Sequence, residues 1–197
     1  PAFYVNDDRS VLQALSAFPP FSGRPTFIQF HLMSTHALSA RDQGVAPFQP
    51  AKSYYTQLAG PLQPSAADLQ PYTNFYDNGI HRTDQTIESL LDTLRRKHYL
   101  DDALVVITAD HGEFVGERGQ VGHAKGVYNE VLHIPLMLLR FGPAWPAQAV
   151  FPDFASQVDI APTVLDLLAL PVPAHWAGMP LTRARSSPTP RDAYFQQ

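Results

Sequence analysis

Three short stretches carry side chains that could do chemistry together. Asp110-His111-Gly112 sets a carboxylate beside an imidazole in a turn, with a glycine that lets the backbone bend sharply behind them. Such a pair suits a borderline divalent metal such as zinc or manganese, because the imidazole selects against an all-oxygen cage. The same residues also read as an ordinary turn, with Asp110 its former and His111 on the surface. Gly122-His123-Ala124-Lys125-Gly126 adds a second imidazole and a compact ammonium. Lys binds phosphate or sulfate as a point charge, and a nearby metal would complete an electropositive anion pocket; the plainer reading is a loop with a solvated Lys. His36, like His111, lies just past an apolar run.

Other motifs are missing. There is no Gly-x-Ser-x-Gly elbow, no His-Glu-x-x-His helix and no Gly-x-x-x-x-Gly-Lys phosphate cradle. With 0 Cys, these residues offer no thiolate nucleophile, thiolate metal site or disulfide scaffold. The carboxylate pairs Asp7-Asp8 and Asp101-Asp102 read as turn residues.

The candidates need elements to position them. Thr26 to Leu32 is a short apolar run entered through Pro25 and suits a largely buried strand. Residues 37–74 lack sustained periodicity and are interrupted by Pro47, Pro50, Pro61, Pro64 and Pro71, which predicts a long surface loop. A helix is predicted from about Phe75 to Lys97, with Ile80, Ile87, Leu90, Leu91 and Leu94 on one face and Thr73 or Asn74 as its cap. Ala103 to Ala109 reads as a buried strand ending at Asp110. Strand, helix, strand predicts a right-handed crossover and a mostly parallel α/β sheet flanked by helices. In such sheets ligands bind outside the carboxyl ends of the strands, where His36 and His111 fall. A glycine-punctuated loop follows, then a strand from Ile134 to Phe141. A short helix runs from an Asp159 cap to about Leu168, with Pro162 tolerated in its first turn. Residues 182–197, rich in Ser, Pro and Arg, predict a loosely held tail.

Composition narrows the classes. The chain has 197 residues, 45% of them hydrophobic, which is too apolar for a disordered chain and fits one domain or part of one. The formal charge is -4 and no Lys/Arg stripe stands out, so nucleic acid is not an expected partner. No run reaches the ~18 apolar residues of a membrane span.

The pattern resembles the sulfatases and their relatives in the alkaline phosphatase superfamily. The resemblance runs through Tyr76 to Leu94, Leu104 to Glu113, Gly122 to Glu130, His133 to Leu136 and Val158 to Asp166, roughly half the chain, in consistent order and spacing. It implies an alkaline-phosphatase-like α/β fold with Asp110 and His111 as metal ligands and His123 and Lys125 contacting the ester oxyanion. His36 resembles the family's His that faces the substrate or leaving group, where an imidazole can protonate a departing alkoxide. The cofactor implied is a divalent metal, Zn, Mn or Ca. Asp84, Tyr128, Asn129 and Glu130 look structural in the pattern.

The family's nucleophile, a formylglycine made in a Cys/Ser-x-Pro-x-Arg motif or a Thr or Ser, has no match here. The expectation is therefore that residues 1–197 form the C-terminal portion of a sulfatase-like catalytic domain. Its N-terminal half, with any formylglycine, would lie upstream of Pro1, and the isolated chain would be inactive. The full protein would hydrolyse sulfate or phosphate esters, with a small-molecule, lipid or glycan ester as substrate. One alternative is a membrane-anchored phosphoethanolamine or phosphoglycerol transferase acting on envelope lipid or glycan. Another is a non-catalytic binding module of the same fold. Members of this kind act outside the cytoplasm, in the periplasm or cell envelope, which the absence of Cys permits.

Overall fold

The computed structural model describes residues 7–36, 39, 46–53, 65–123, 126–142 and 155–184. The chain divides into two compact units, Pro1–Gly142 and Pro143–Gln197.

The first unit is organised by two helices, α1 (Arg9–Ala17) and α2 (Ala66–Arg96). α2 starts nine residues before the expected Phe75, so the last part of the supposed 37–74 loop is helical. Ser65, in an extended conformation, precedes it in place of Thr73 or Asn74, and Asp68 puts a carboxylate in the first turn, where the macrodipole favours it. Pro71 sits inside the helix. It marks no boundary here, and its carbonyl accepts the Lys52 N–H at 3.0 Å.

Two buried amides on α2 hold part of the remaining loop. Asn78 accepts the Phe48 N–H at 3.0 Å and donates to the Phe48 carbonyl at 2.9 Å, while Asn74 donates to the Pro50 carbonyl at 2.9 Å. An irregular backbone with no ladder of its own thus finds partners in side chains. At its other end α2 stops in a Schellman arrangement. His98 takes φ 66°, its N–H reaches the Arg95 carbonyl at 3.0 Å, and the Tyr99 N–H reaches the Leu94 carbonyl at 2.9 Å. Lys97 then donates to the Ser16 and Phe18 carbonyls, tying the end of α1 to the end of α2.

Leu90 and Leu94 of α2 join Leu15 of α1 and Leu100 in the core, with Val11, Ile28, Phe30 and Val105 packed against it. β1 (Ala103–Thr108) pairs antiparallel with β4 (Leu136–Phe141), Val105 opposite Leu139 and Ile107 opposite Met137. Between them, β2 (Phe114–Val115) and β3 (Val121–Gly122) form a hairpin around a 3-10 turn, and a short helix α3 (Asn129–Leu132) follows. The glycine-punctuated stretch is therefore a structured hairpin, anchored by the fully buried Phe114.

Thr26 to Leu32 departs from expectation. The segment is extended, with Ile28, Phe30 and Leu32 turned toward the core and Phe27 87% exposed, but among the described residues it joins no ladder. The β-rich, Pro-led sequence sets its conformation, whereas a strand needs a neighbour to complete it. The strand–helix–strand crossover is accordingly not closed by hydrogen bonds, and the pairs that do form here are antiparallel.

The second unit is built on α4 (Ile160–Leu167) and α5 (Leu181–Ala184). Asp159, fully buried, does not cap α4 by its side chain. It forms a capping box with Ser156 one turn earlier, accepting the Ser156 N–H at 2.9 Å, and its other oxygen accepts the Met179 N–H at 2.9 Å. Thr163 donates to the Asp159 carbonyl and accepts the Leu181 N–H. The expected loose tail thus begins later, since Leu181–Ala184 is helical and Thr182 and Arg183 bond to Asp166; residues 185–197 lie outside the described residues. No helix among the described residues is long and apolar enough to cross a membrane.

Candidate active site

β1 delivers its C-terminal end into a tight turn. The Asp110 carboxylate accepts the His111 N–H at 3.0 Å, and its other oxygen lies 3.8 Å from His111 Nε2. His111 Nδ1 sits 2.8 Å from the Gly112 carbonyl, which can only accept, so Nδ1 is the donor in this contact. Gly112 is required at this point. Its N–H donates to the Val131 carbonyl at 2.7 Å, and a Cβ there would collide with the Glu130 carbonyl oxygen.

The next residue, Glu113, is a site feature that the sequence reading left among the matched positions without a role. Its side chain is 8% exposed, and Oε1 lies 3.1 Å from His123 Nδ1. A carboxylate one residue past a candidate metal pair and directly before an aromatic was the signal that could have found it. His123 enters from the end of β3, so the hairpin folds the second imidazole back onto the first. The His111 and His123 ring centroids are 4.0 Å apart.

His36 approaches from the segment after the extended run, its ring centroid 6.2 Å from that of His123. Its N–H closes a turn on the Met33 carbonyl at 2.9 Å. Burial pushes the His36 imidazole below its usual value. The Glu113 carboxylate opposes this, His123 and His111 push the same way as burial, and Asp110 opposes it weakly.

The turn between β2 and β3 is braced from α3. Arg118 pairs with Glu130 at 3.3 Å and stacks on Tyr128 at 4.5 Å, while the Tyr128 ring packs edge-on against Phe114. Of the sequence-predicted site residues, the structure brings together His36, Asp110, His111 and His123 within the first unit. Lys125 lies outside the described residues. Among the described residues no group of three or more His, Asp or Glu is arranged to hold a metal ion by itself. Asp110 and His111 fit as part of a ligand set, because a ligating His ordinarily donates its other N–H to a carbonyl, as His111 does to Gly112.

Known proteins share this arrangement of chain. The chain is 30% identical to arylsulfatase K of Rattus norvegicus over 122 residues, 62% of this chain and 21% of the relative. It is 27% identical to the extracellular sulfatase SULF-1 homolog of Drosophila melanogaster over 192 residues, 92% of this chain and 16% of the relative. The solved structure of a phosphonate monoester hydrolase from Silicibacter pomeroyi superposes with a TM-score of 0.54 at 28% identity, covering 68% of this chain and 26% of that one. The chain thus spans about a fifth of the length of the curated relatives it matches. The fold is a partial α/β fold of the alkaline-phosphatase-like type. The family model for sulfatases matches residues 2–170, across the turn of Asp110 and His111, the hairpin of His123 and the approach of His36. This chain belongs to the sulfatase family.

Proposed function

We propose that this chain supplies the metal-binding and leaving-group side of an active site that hydrolyses sulfate esters. The observation that carries the reading is the convergence of His36, His111 and His123 just past β1, with His123 against Glu113 and Asp110 beside His111. In this reading Asp110 and His111 hold a divalent metal, of zinc, manganese or calcium type. When bound, the metal would neutralise the ester's oxyanion. In the same reading His123, held by Glu113, would contact this oxyanion, and so would Lys125. His36 delivers a proton to the departing alkoxide. The nucleophile and the remaining metal ligands would come from the rest of a longer protein, in keeping with the share of its relatives that the chain spans.

Binding and turnover test this separately. Titration calorimetry with Mn2+ or Zn2+ is expected to show binding that Asp110→Ala and His111→Ala each weaken by at least tenfold. Metal binding unchanged in both variants would remove the ligand assignment. Turnover of an aryl sulfate is expected from the longer protein and absent from the 197 residues alone; robust hydrolysis by the isolated chain would overturn that part.

Likeness to a phosphonate monoester hydrolase favours a second substrate class, since phosphonate and sulfate esters both present a tetrahedral oxyanion. A side-by-side assay of an aryl sulfate and a phosphonate monoester decides between them. The name of the Drosophila relative supports an extracytoplasmic location, which fractionation of the producing cells checks.

A further inference from the structure

Asp8 is a carboxylate only 5% exposed that the site described above leaves unused. It stands directly before α1 yet makes no side-chain capping bond to that helix. Both of its oxygens turn to a segment far along the chain. Oδ1 accepts the Met33 N–H at 2.7 Å, and Oδ2 accepts the Ser34 N–H at 2.9 Å and the Ser34 hydroxyl at 2.5 Å. Hydrogen bonds to an ionised carboxylate are roughly twice as strong as neutral ones, so three on one group make a stiff anchor. Its neighbour Asp7 does something different, pairing with Arg9 in an exposed local contact.

The anchored residues form the base of the His36 turn. The His36 N–H bonds back to the Met33 carbonyl at 2.9 Å. On the far side, the Ser39 N–H reaches the His36 carbonyl at 3.0 Å and the Ser39 hydroxyl reaches the Ser34 carbonyl at 3.2 Å. His36 therefore cannot slide relative to α1 without breaking bonds to Asp8, and α1 is fixed to the core through Leu15 and to the end of α2 through Lys97.

We infer that Asp8 is the positioning residue of His36: its carboxylate grips the Met33–Ser34 backbone and so fixes the imidazole opposite His123. The catalytic meaning of this grip rests on the leaving-group reading of His36 given above; the grip itself does not. The decisive measurement is made on the 197-residue chain by NMR, with wild type, Asp8→Asn and Ser34→Ala compared. In Asp8→Asn the Met33 and Ser34 amide protons move upfield, the His36 ring signals shift, and the His36–His123 cross-peak falls to less than half. A variant that merely melts earlier, with His36 ring signals and cross-peak intact, overturns the inference. Should Asp8→Asn fail to fold, Ser34→Ala decides by the same signals, because it removes one of the three bonds and keeps both amides. A separate arm isolates the functional reading. In the longer protein, His36→Ala is expected to slow aryl sulfates with poor leaving groups at least tenfold more than those with good ones. A uniform loss would end the leaving-group role while the spectra still judge Asp8.

Discussion

Gly112 is where the Asp110–His111 turn touches its support, and it has no room for a side chain. Gly112→Ala is expected to cost about 1–3 kcal/mol through overpacking against the Glu130 carbonyl, and to loosen the Asp110–His111 pair. Chemical denaturation checks the first effect and metal titration the second. His36 carries a pH signature. Its folded value is lowered, so the unfolded chain binds the proton more readily. Its contribution to stability is fully present above the ordinary value of 6.5 and is lost as pH falls through the lowered folded value. The same shift leaves His36 neutral in neutral solution. Turnover of esters with poor leaving groups is accordingly expected to rise as pH falls below neutrality, as the imidazole gains its proton. A rate that stays flat or drops as the pH is lowered would count against His36 as the donor. Most of these residues were legible from type and position, since an Asp-His pair at a strand end and a His between glycines stand out. Glu113 and Asp8 were not, because a carboxylate's partner is set by the fold and neither lies near its partner in sequence.

At the scale of elements, α2 shows what periodicity can and cannot reveal. Its C-terminal half carries an apolar stripe, and Leu90→Ala there is expected to cost about 2–5 kcal/mol, against almost nothing for the exposed Glu88→Ala, both read by thermal unfolding. Its first turns, residues 66–74, bury only Tyr72 and Asn74 and contain Pro71, so no hydrophobic period shows there and this part of the helix reads as loop. The β2–β3 hairpin escaped notice for a related reason. Two-residue strands hold too few side chains to show alternation, and the pairing is secured by Phe114 and by the Arg118 contacts to Tyr128 and Glu130. The long strands were easier, because β1 is an almost wholly apolar run and β4 is broken only by Arg140. In the second unit Asp159 is the element-level keystone. Asp159→Ala strands the half-buried N–H groups of Ser156 and Met179, at up to about 1–3 kcal/mol each. Proteolysis of the region around α4 and α5 is expected to speed up in this variant.

For the molecule as a whole, α/β class and family were readable because the order of motifs survives at 27–30% identity. Strand pairing was not, since partners are a property of three dimensions. The extended run 26–32 brings a consequence for the protein in the test tube. Its outward face offers Phe27, and its backbone joins no ladder among the described residues, the arrangement that seeds edge-to-edge assembly. Concentrated solutions of the 197-residue chain are therefore expected to scatter light increasingly over hours. Phe27→Lys, which sets a charge on that edge without touching Ile28 or Phe30, is expected to keep them clear.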